Sequence, residues 1–131
     1  MPLTPTTSIQ TFENPNKDRD YIVRFETQEF TCLCPLTKQP DFAHIFINYI
    51  PDELNIELKS LKTYLWSFRD KGAFHEAITN QILDELANST NPRIIKIRAK
   101  WFVRGGIYTT IEAEKTNKTW IPSDPQILNR I

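Results

Sequence analysis

The sequence predicts an α+β domain in which two helices lie on one face of an antiparallel four-stranded sheet. Two segments with the alternation typical of strands come first, two segments with helical periodicity follow, and two more alternating segments come after them. Only Arg104, Gly105 and Gly106 separate the last two strands, which favours a tight hairpin. This order, ββααββ, is the basis of the fold prediction.

The first strand pair is predicted at YIVRFET, residues 21–27, and FAHIFINYI, residues 42–50. Both segments are rich in β-branched and aromatic residues. The preceding residues 1–18 are polar and rich in proline, which predicts an N-terminal arm. We therefore expect a single domain over residues 19–131.

The first helix is predicted from Leu58 to about Arg69, with Gly72 as its C-terminal cap. Apolar residues recur there at spacings of three and four and form a core-facing stripe: Leu58, Leu61, Leu65 and Phe68. A second stripe begins one position later: Lys59, Lys62, Trp66 and Arg69. Its cations and indole could bind a phosphate-bearing, ring-containing ligand such as a nucleotide, or the lysines could simply be solvated.

The second helix is predicted from about Phe74 to Ala87. Its core-facing side chains are expected to be Phe74, Ile78, Ile82 and Leu86. His75 falls on nearly the same side, as a core histidine would. Glu76 lies in the first turn, where the helix dipole favours a carboxylate, and such a carboxylate could accept paired N–H donors from a guanine-like edge.

The last two strands are predicted at residues 93–103 and 107–114. The chain has three glycines and nine prolines, so Gly72, Gly105 and Gly106 are expected where a bare backbone is required. A small open sheet also leaves two edge strands and one uncovered face. Edge-to-edge joining of copies would complete it, which predicts a homo-oligomer.

The composition argues against nucleic-acid and membrane partners. Lysine plus arginine equals aspartate plus glutamate at 16 each, so any charged ligand needs a local cluster. No apolar run approaches the roughly 20 residues of a membrane span. The N-terminus lacks the pattern of a secretory signal, and with two cysteines this predicts a cytoplasmic protein.

The segment FTCLCPLTKQPDFA, residues 30–43, contains both cysteines. Two cysteines and two histidines are a thin donor set for zinc, and a Cys32–Cys34 disulfide would close a strained ring. Both thiols could also be buried small hydrophobes. Alternatively, Pro35 turns the chain so that Cys34 faces a cleft, and Asp41 follows a short loop. The pair would then be a nucleophile and its proton partner.

The segment ELKSLKTYLWSFR, residues 57–69, closely resembles the signature of the NADPH-dependent nitrile reductases of queuosine biosynthesis, the QueF family. That signature reads Glu-[Ser/Leu]-Lys-[Ser/Ala]-x-Lys-[Leu/Tyr]-[Tyr/Phe/Trp], and Thr63 departs from it. LCPLTKQPDFA, NYIPDE, SFRDKGAFHE, NPR and RGGI resemble segments of the short, single-domain branch in the same order. Together the similar segments cover residues 29–107.

The resemblance implies reduction of 7-cyano-7-deazaguanine to 7-aminomethyl-7-deazaguanine with two NADPH and no metal. Carried over by position, the catalytic residues would be Cys34 as nucleophile, Asp41 as proton donor, and His75 as an assisting acid or nicotinamide-positioning group. Substrate binding would involve Glu76, Glu57, Leu58 and Ser60. Cofactor binding would involve Lys59, Lys62, Arg104 and Gly105.

The resemblance also implies the tunnelling fold, whose subunits assemble into an oligomeric β-barrel with active sites between subunits. Two alternatives on the same fold are a zinc-dependent pterin or purine cyclohydrolase and a non-catalytic purine-binding module. The role of Cys32 is open, either as a bystander or as an oxidation partner of Cys34.

Overall fold

The computed structural model describes residues 6–131. These residues contain six strands and three helices. Residues 1–5 of the predicted arm lie outside the described residues. The strands are β1 (Thr11–Glu13), β2 (Val23–Leu33), β3 (Pro40–Ile50), β4 (Leu54–Ile56), β5 (Ile94–Arg104) and β6 (Ile107–Thr116). The helices are α1 (Leu58–Trp66), α2 (His75–Thr90) and α3 (Ile127–Arg130).

The main sheet has four antiparallel strands, as predicted, and their order is β2-β3-β5-β6. In its centre, Ile47 of β3 pairs with Ile97 of β5. The sequence analysis missed a second, two-stranded sheet in which Thr11 of β1 pairs with Ile56 of β4. Both strands have only three residues, too few to show an alternating pattern.

Both long helices pack on one face of the main sheet and enclose the core. The buried side chains of α2 include Ile78, Ile82 and Leu86, as predicted. They meet alternate residues of the central strands, among them Ile45, Ile47, Ile95, Ile97 and Ala99. Two core predictions were wrong, because Leu58 and Phe74 are each 57% exposed. Leu58 begins its helix and Phe74 precedes its helix, so neither reaches the sheet.

The first helix ends earlier than predicted, and Gly72 has a different role. The first helix, α1, ends at Trp66 with Ser67 as its C-cap, so Gly72 is not a cap. Gly72 instead forms a parallel bridge with Leu33 at the end of β2. Its φ is not positive, so the predicted need for a bare backbone fails at this position. The prediction holds for Gly105 and Gly106, whose φ values of 57° and 79° form the turn between β5 and β6.

A β-bulge interrupts the edge strand β2. Thr27 pairs with Ile45, and the next pair is Phe30 with Ala43, so β2 has one residue more than β3 over this interval. Before the bulge Phe25 and Thr27 face the helices, and after it Phe30 and Cys32 do. The predicted strand ended at Thr27 because this change of phase breaks the alternation.

Arg93 joins the segment before β2 to the loop between β3 and β4 through hydrogen bonds and ion pairs. Its guanidinium contacts Asp20 at 2.9 Å and Asp52 at 3.1 Å, and it donates to the carbonyl oxygens of Lys17 and Arg19. The indole Nε1 of Trp120 donates to the same Asp20 at 3.1 Å, which gives this tryptophan a packing role. None of the helices in the described residues has the length and apolar character needed to cross a bilayer.

We expect Ile82→Ala to lower the free energy of unfolding by about 2–5 kcal/mol, because it opens a cavity between α2 and the sheet. The measurement is denaturant unfolding at fixed protein concentration. Ile121→Ala, at a position that is 86% exposed, is the matched control and should change stability by less than about 0.5 kcal/mol. Equal effects of the two substitutions would contradict the assigned core.

Candidate active site

Cys34 lies at the start of a tight loop between β2 and β3. Its backbone N–H donates to the carbonyl oxygen of Gln39 at 2.8 Å, and its own carbonyl accepts from the N–H of Lys38 at 2.9 Å. Lys38 has a positive φ of 60°, which closes the loop. The turn predicted after Cys34 is therefore present, and it leaves the thiol partly exposed.

The two thiols occupy different environments. The pKa of Cys34 is lowered, chiefly by hydrogen bonds from the Thr37 side chain and from the backbone N–H groups of Thr37 and Leu36, against the opposing effects of burial and of Asp41. Cys32 is fully buried, and burial, reinforced by the charges of Asp41 and Cys34, raises its pKa to about 11. Both cysteines are free. Of the two, Cys34 therefore has the environment that favours a thiolate.

Asp41, the second residue of β3, is a buried carboxyl group held by Arg104 and His75. Only 6% of its side chain is exposed. Its Oδ1 lies 2.7 Å from Nε of Arg104, and its Oδ2 lies 3.2 Å from Nε2 of His75. Arg104 also donates to the carbonyl oxygen of Pro40 at 3.0 Å. A buried carboxylate needs such partners, and here they fix its direction.

His75, the first residue of α2, is held by stacking as well as by Asp41. Its ring lies parallel to that of Trp101, with centroids 3.9 Å apart. Trp101 is buried in β5 and also meets Phe30 edge to face. Stacking on Trp101 and the contact with Asp41 hold His75 at the edge of the core, where 22% of its side chain is exposed.

The segment between α1 and α2 brings the start of α2 to the end of β2. Leu33 donates from its N–H to the carbonyl oxygen of Lys71 at 3.0 Å and accepts from the N–H of Ala73 at 3.1 Å. The chain that follows Ala73 enters α2, whose first two residues are His75 and Glu76. Glu76 is exposed in the first turn of α2, where the helix N-terminus favours a negative charge.

Two of the residues predicted to bind ligands, Glu57 and Ser60, form hydrogen bonds that stabilise the start of α1. Glu57 is its N-cap, and its carboxylate accepts from the backbone N–H groups of Lys59 and Ser60. Ser60 is buried and accepts from the N–H of Gln10 at 2.9 Å. Leu58 and Lys59 are exposed, as is Lys62 one turn later. Within residues 6–131, no hydrogen bond or ion pair joins this group to Cys34 or Asp41.

Sequence reasoning did not foresee three contacts of the site. Arg104, whose role in cofactor binding stays a prediction, forms an ion pair with Asp41, 63 positions earlier in the chain. The stacking of Trp101 on His75 and the hydrogen bonds from Thr37 to Cys34 were not foreseen. The hairpin order of the strands was the available signal for Arg104, because it places the end of β5 beside the start of β3. Nothing in the described residues clusters three or more His, Cys, Asp or Glu side chains suitably for a metal ion.

We expect Thr37→Val to raise the pKa of Cys34, because the hydroxyl that lowers it is lost. A lowered pKa means that the thiolate persists to lower pH, so the midpoint of the pH profile of iodoacetamide alkylation should move upward in the variant. The rate at pH 7 should fall by about two- to tenfold. Thr110→Val, on exposed β6, is the control. An unchanged midpoint would exclude the hydroxyl as a cause.

Comparison with known proteins places these features in a family. A family model described as QueF-like protein matches residues 40–120. A protein of Alkalilimnicola ehrlichii named NADPH-dependent 7-cyano-7-deazaguanine reductase is 55% identical over 94% of this chain and 95% of its own length. Proteins of the same name from Acidithiobacillus ferrooxidans and Nitrosomonas europaea are 52% and 54% identical, over 100% and 98% of this chain and 92% of each relative.

A solved structure shows the same fold. The crystal structure of the archaeosine synthase QueF-Like in the apo form superposes with a TM-score of 0.68 at 24% identity, covering 73% of this chain and 94% of that one. This similarity confirms the expected tunnelling fold of the chain. On the family match and the identities over nearly the full chain, this protein belongs to the QueF-like family.

Proposed function

We propose that this chain reduces the nitrile of 7-cyano-7-deazaguanine to a primary amine with NADPH, as a step of queuosine biosynthesis. Its relatives are named NADPH-dependent 7-cyano-7-deazaguanine reductase. The observation that carries the proposal within this chain is the thiol of Cys34. Its pKa is lowered, it is partly exposed, and it lies close enough to feel the charge of Asp41. A nitrile is a poor hydride acceptor until a nucleophile of this kind has added to it.

The first step forms a bond between the sulfur of Cys34 and the nitrile carbon. The carbon–nitrogen triple bond becomes a double bond, and the nitrogen gains a proton, which gives a covalent thioimide. Asp41 in its acid form delivers that proton to the nitrogen, and His75, whose Nε2 lies 3.2 Å from Oδ2 of Asp41, then returns a proton to it. NADPH, when bound, would supply the hydride for the two reductions of this carbon, one before and one after the sulfur leaves.

The support for Asp41 as the proton-transfer group is its fixed geometry. Its carboxylate cannot rotate freely, because Arg104 holds one oxygen and His75 the other. Enclosure matters as well, since water reaching the thioimide would divert it to an amide or acid. The 6% exposure of Asp41 and the aromatic wall of Trp101 behind His75 support such an enclosure.

Substrate recognition is proposed to centre on Glu76. Its carboxylate is exposed, follows His75 directly, and can accept two parallel N–H donors from the deazaguanine edge. Glu57 and Ser60 would act from the N-terminus of α1, where their contacts fix the local backbone. Leu58 contributes an exposed apolar side chain at the same place.

Cofactor binding is proposed to use Lys59, Lys62 and the β5–β6 turn. The lysines are exposed on α1 and are free to meet phosphate groups as point charges. Gly105 lies in an open turn where an added Cβ would touch nothing within 4 Å, so its backbone is approachable. Arg104 is bound to Asp41, so a phosphate that recruited it would compete with that ion pair.

We also propose self-association with active sites between subunits. Strands β2 and β6 are the two edges of the sheet, and each presents unpaired backbone groups. The tip of the β5–β6 hairpin exposes an apolar patch, which is formed by Phe102, Val103, Ile107 and Tyr108. Patches of this kind commonly mark contacts between proteins.

Cys34→Ala should abolish the covalent adduct that forms when the protein is mixed with 7-cyano-7-deazaguanine without NADPH. Intact mass and ultraviolet absorbance report the adduct. Replacing Cys32 with Ala is the matched control and should leave the adduct in place, because Cys32 is buried. Reversible binding that survives Cys34→Ala would instead indicate a purine-binding module, and tightly bound zinc without an adduct would indicate a cyclohydrolase.

Asp41→Asn should lower kcat by about 10²- to 10⁴-fold, the range of a lost proton-transfer group, with a much smaller change in KM. The amide keeps the size of the side chain but cannot deliver the proton. NADPH consumption at saturating nitrile is the measurement, and thermal unfolding checks that the variant is folded. Turnover equal to that of the unaltered chain would remove Asp41 from the mechanism.

Ile107→Lys should lower the oligomeric mass measured by light scattering, since it places a charge in the apolar patch at a position 69% exposed in the single chain. Ile121→Lys, 86% exposed in the C-terminal tail, should leave the mass unchanged. If both variants kept the mass of the unaltered protein, the patch would not be the interface.

A further inference from the structure

The indole of Trp101 forms a flat, fixed surface at the margin of the reactive cluster. Its side chain lies on the helix-facing side of β5, is only 3% exposed, and meets Phe30 edge to face with ring centroids 5.9 Å apart. Its partner across the ladder to β3 is Ala43, and Ala99 precedes it on the same face, both fully buried. Isoleucine occupies most of this face elsewhere in β3 and β5. The two small neighbours leave room for a large flat ring, and the packed core around the ring prevents it from turning.

The imidazole of His75 lies on this surface. The two rings are parallel, with centroids 3.9 Å apart, and Nε2 of His75 lies 3.2 Å from Oδ2 of Asp41. Among residues 6–131, the imidazole has no second hydrogen-bond or ion-pair partner. The outer torsion of a histidine side chain has only broad preferences of its own, so contacts must set the plane of the ring. The stack on Trp101 therefore sets this plane, and Asp41 sets the direction of Nε2 within it.

Tryptophan at position 101 lowers stability in one respect. Nε1 of Trp101 is buried and has no hydrogen-bond partner in the described part of the chain, whereas Nε1 of Trp120 donates to Asp20 at 3.1 Å. An unpaired buried N–H is destabilising, and phenylalanine at this position would avoid it. The indole has a larger and more electron-rich face, which attracts a cation more strongly than a phenyl ring does. Because a protonated imidazole is such a cation, the indole suits the stack better than it suits the core.

We propose that Trp101 is a positioning residue for the proton that His75 returns to Asp41. The stack holds the imidazole in the plane in which Nε2 faces Oδ2. After the acid form of Asp41 has given its proton to the substrate nitrogen, a protonated His75 passes the proton on Nε2 to Oδ2 and becomes neutral. The proposal rests on the proposed function and deepens it, since it adds a buried residue that acts through His75.

Comparing steady-state turnover with adduct formation tests this role. Formation of the Cys34 adduct without NADPH uses only the proton that Asp41 already carries, whereas a full turnover requires Asp41 to be reloaded. Trp101→Leu should therefore lower kcat by roughly 10- to 100-fold, the effect of a misplaced proton-transfer group. The rate of adduct formation and the KM for the nitrile should change by less than about twofold. Trp101→Phe keeps an aromatic face and should retain kcat within about threefold.

Phe68→Leu is the matched control for the loss of an aromatic ring from the core. Phe68 is also 3% exposed, and it packs against Phe30 and Tyr64 without touching either ring of the stack. This variant should be less stable than the unaltered protein and should turn over at the same rate. Trp101→Met, which has no aromatic face, serves if the leucine variant does not fold, and it should show the same loss of kcat. Circular dichroism reports whether each variant is folded.

Proton NMR of the imidazole groups tests the stack without the reaction. The chain has two histidines, so His44→Gln identifies the signals of His75. An indole face 3.9 Å away shifts the carbon-bound protons of His75 upfield through its ring current. This shift should be lost in Trp101→Leu and reduced in Trp101→Phe. An imidazole spectrum that does not respond to either substitution would overturn the proposal.

Turnover by Trp101→Leu at the rate of the unaltered protein would also overturn it. So would equal losses of turnover and of adduct formation, because Trp101 would then support the whole site and not the return of the proton. If the unaltered protein formed no adduct with the nitrile, the proposed function would fail and this proposal would fail with it. If the adduct formed and Trp101→Leu turned over normally, only the role of Trp101 would be wrong.

Discussion

The ion pair between Asp41 and Arg104 joins parts of the chain that are far apart in sequence. Asp41 begins β3, Arg104 ends β5, and His75 begins α2, so one buried carboxylate connects a strand, a hairpin and a helix. An unpaired carboxylate at 6% exposure would be costly, and removing Arg104 would leave His75 alone to offset that cost. The geometry around the reactive thiol therefore depends on this contact.

The two cysteines show how strongly position governs the chemistry of one side chain. Cys32 lies in regular β-structure, and its thiol faces the core, where burial opposes the thiolate. Cys34, two residues later, has left the strand, and the loop turns N–H groups and a hydroxyl toward its sulfur. The loop that follows β2 is therefore what makes one thiol reactive and leaves the other inert.

The sequence was sufficient for the parts of this fold that rest on periodicity. The four long strands, the two long helices and the buried face of α2 follow from patterns of two and of three to four residues. The predictions failed where the local sequence pattern carries little information about the structure. Phe74 is apolar but precedes its helix, Gly72 pairs with a distant strand, and β1 and β4 are too short to alternate.

The candidate site was predictable to a similar degree. Cys34 and Asp41 stood out because a proline and a short loop connect them, and His75 and Glu76 because they open a helix. The contacts of Arg104 and Trp101 could not be read in the same way, because they depend on which strands become neighbours and in which register. Long-range pairing is a property of the folded sheet and leaves little trace in a short window of sequence.

The bulge in β2 also shows where this chain can change in length. Because side chains alternate with a period of two, the single extra residue near Gln28 and Glu29 reverses which positions of β2 turn inward from Phe30 onward. A one-residue deletion at the bulge would place Thr27 and Phe30 two positions apart, so regular alternation would keep Phe30 and Cys32 facing the core. The same deletion at a regularly paired position of β2 would reverse the inward and outward faces of the residues beyond it.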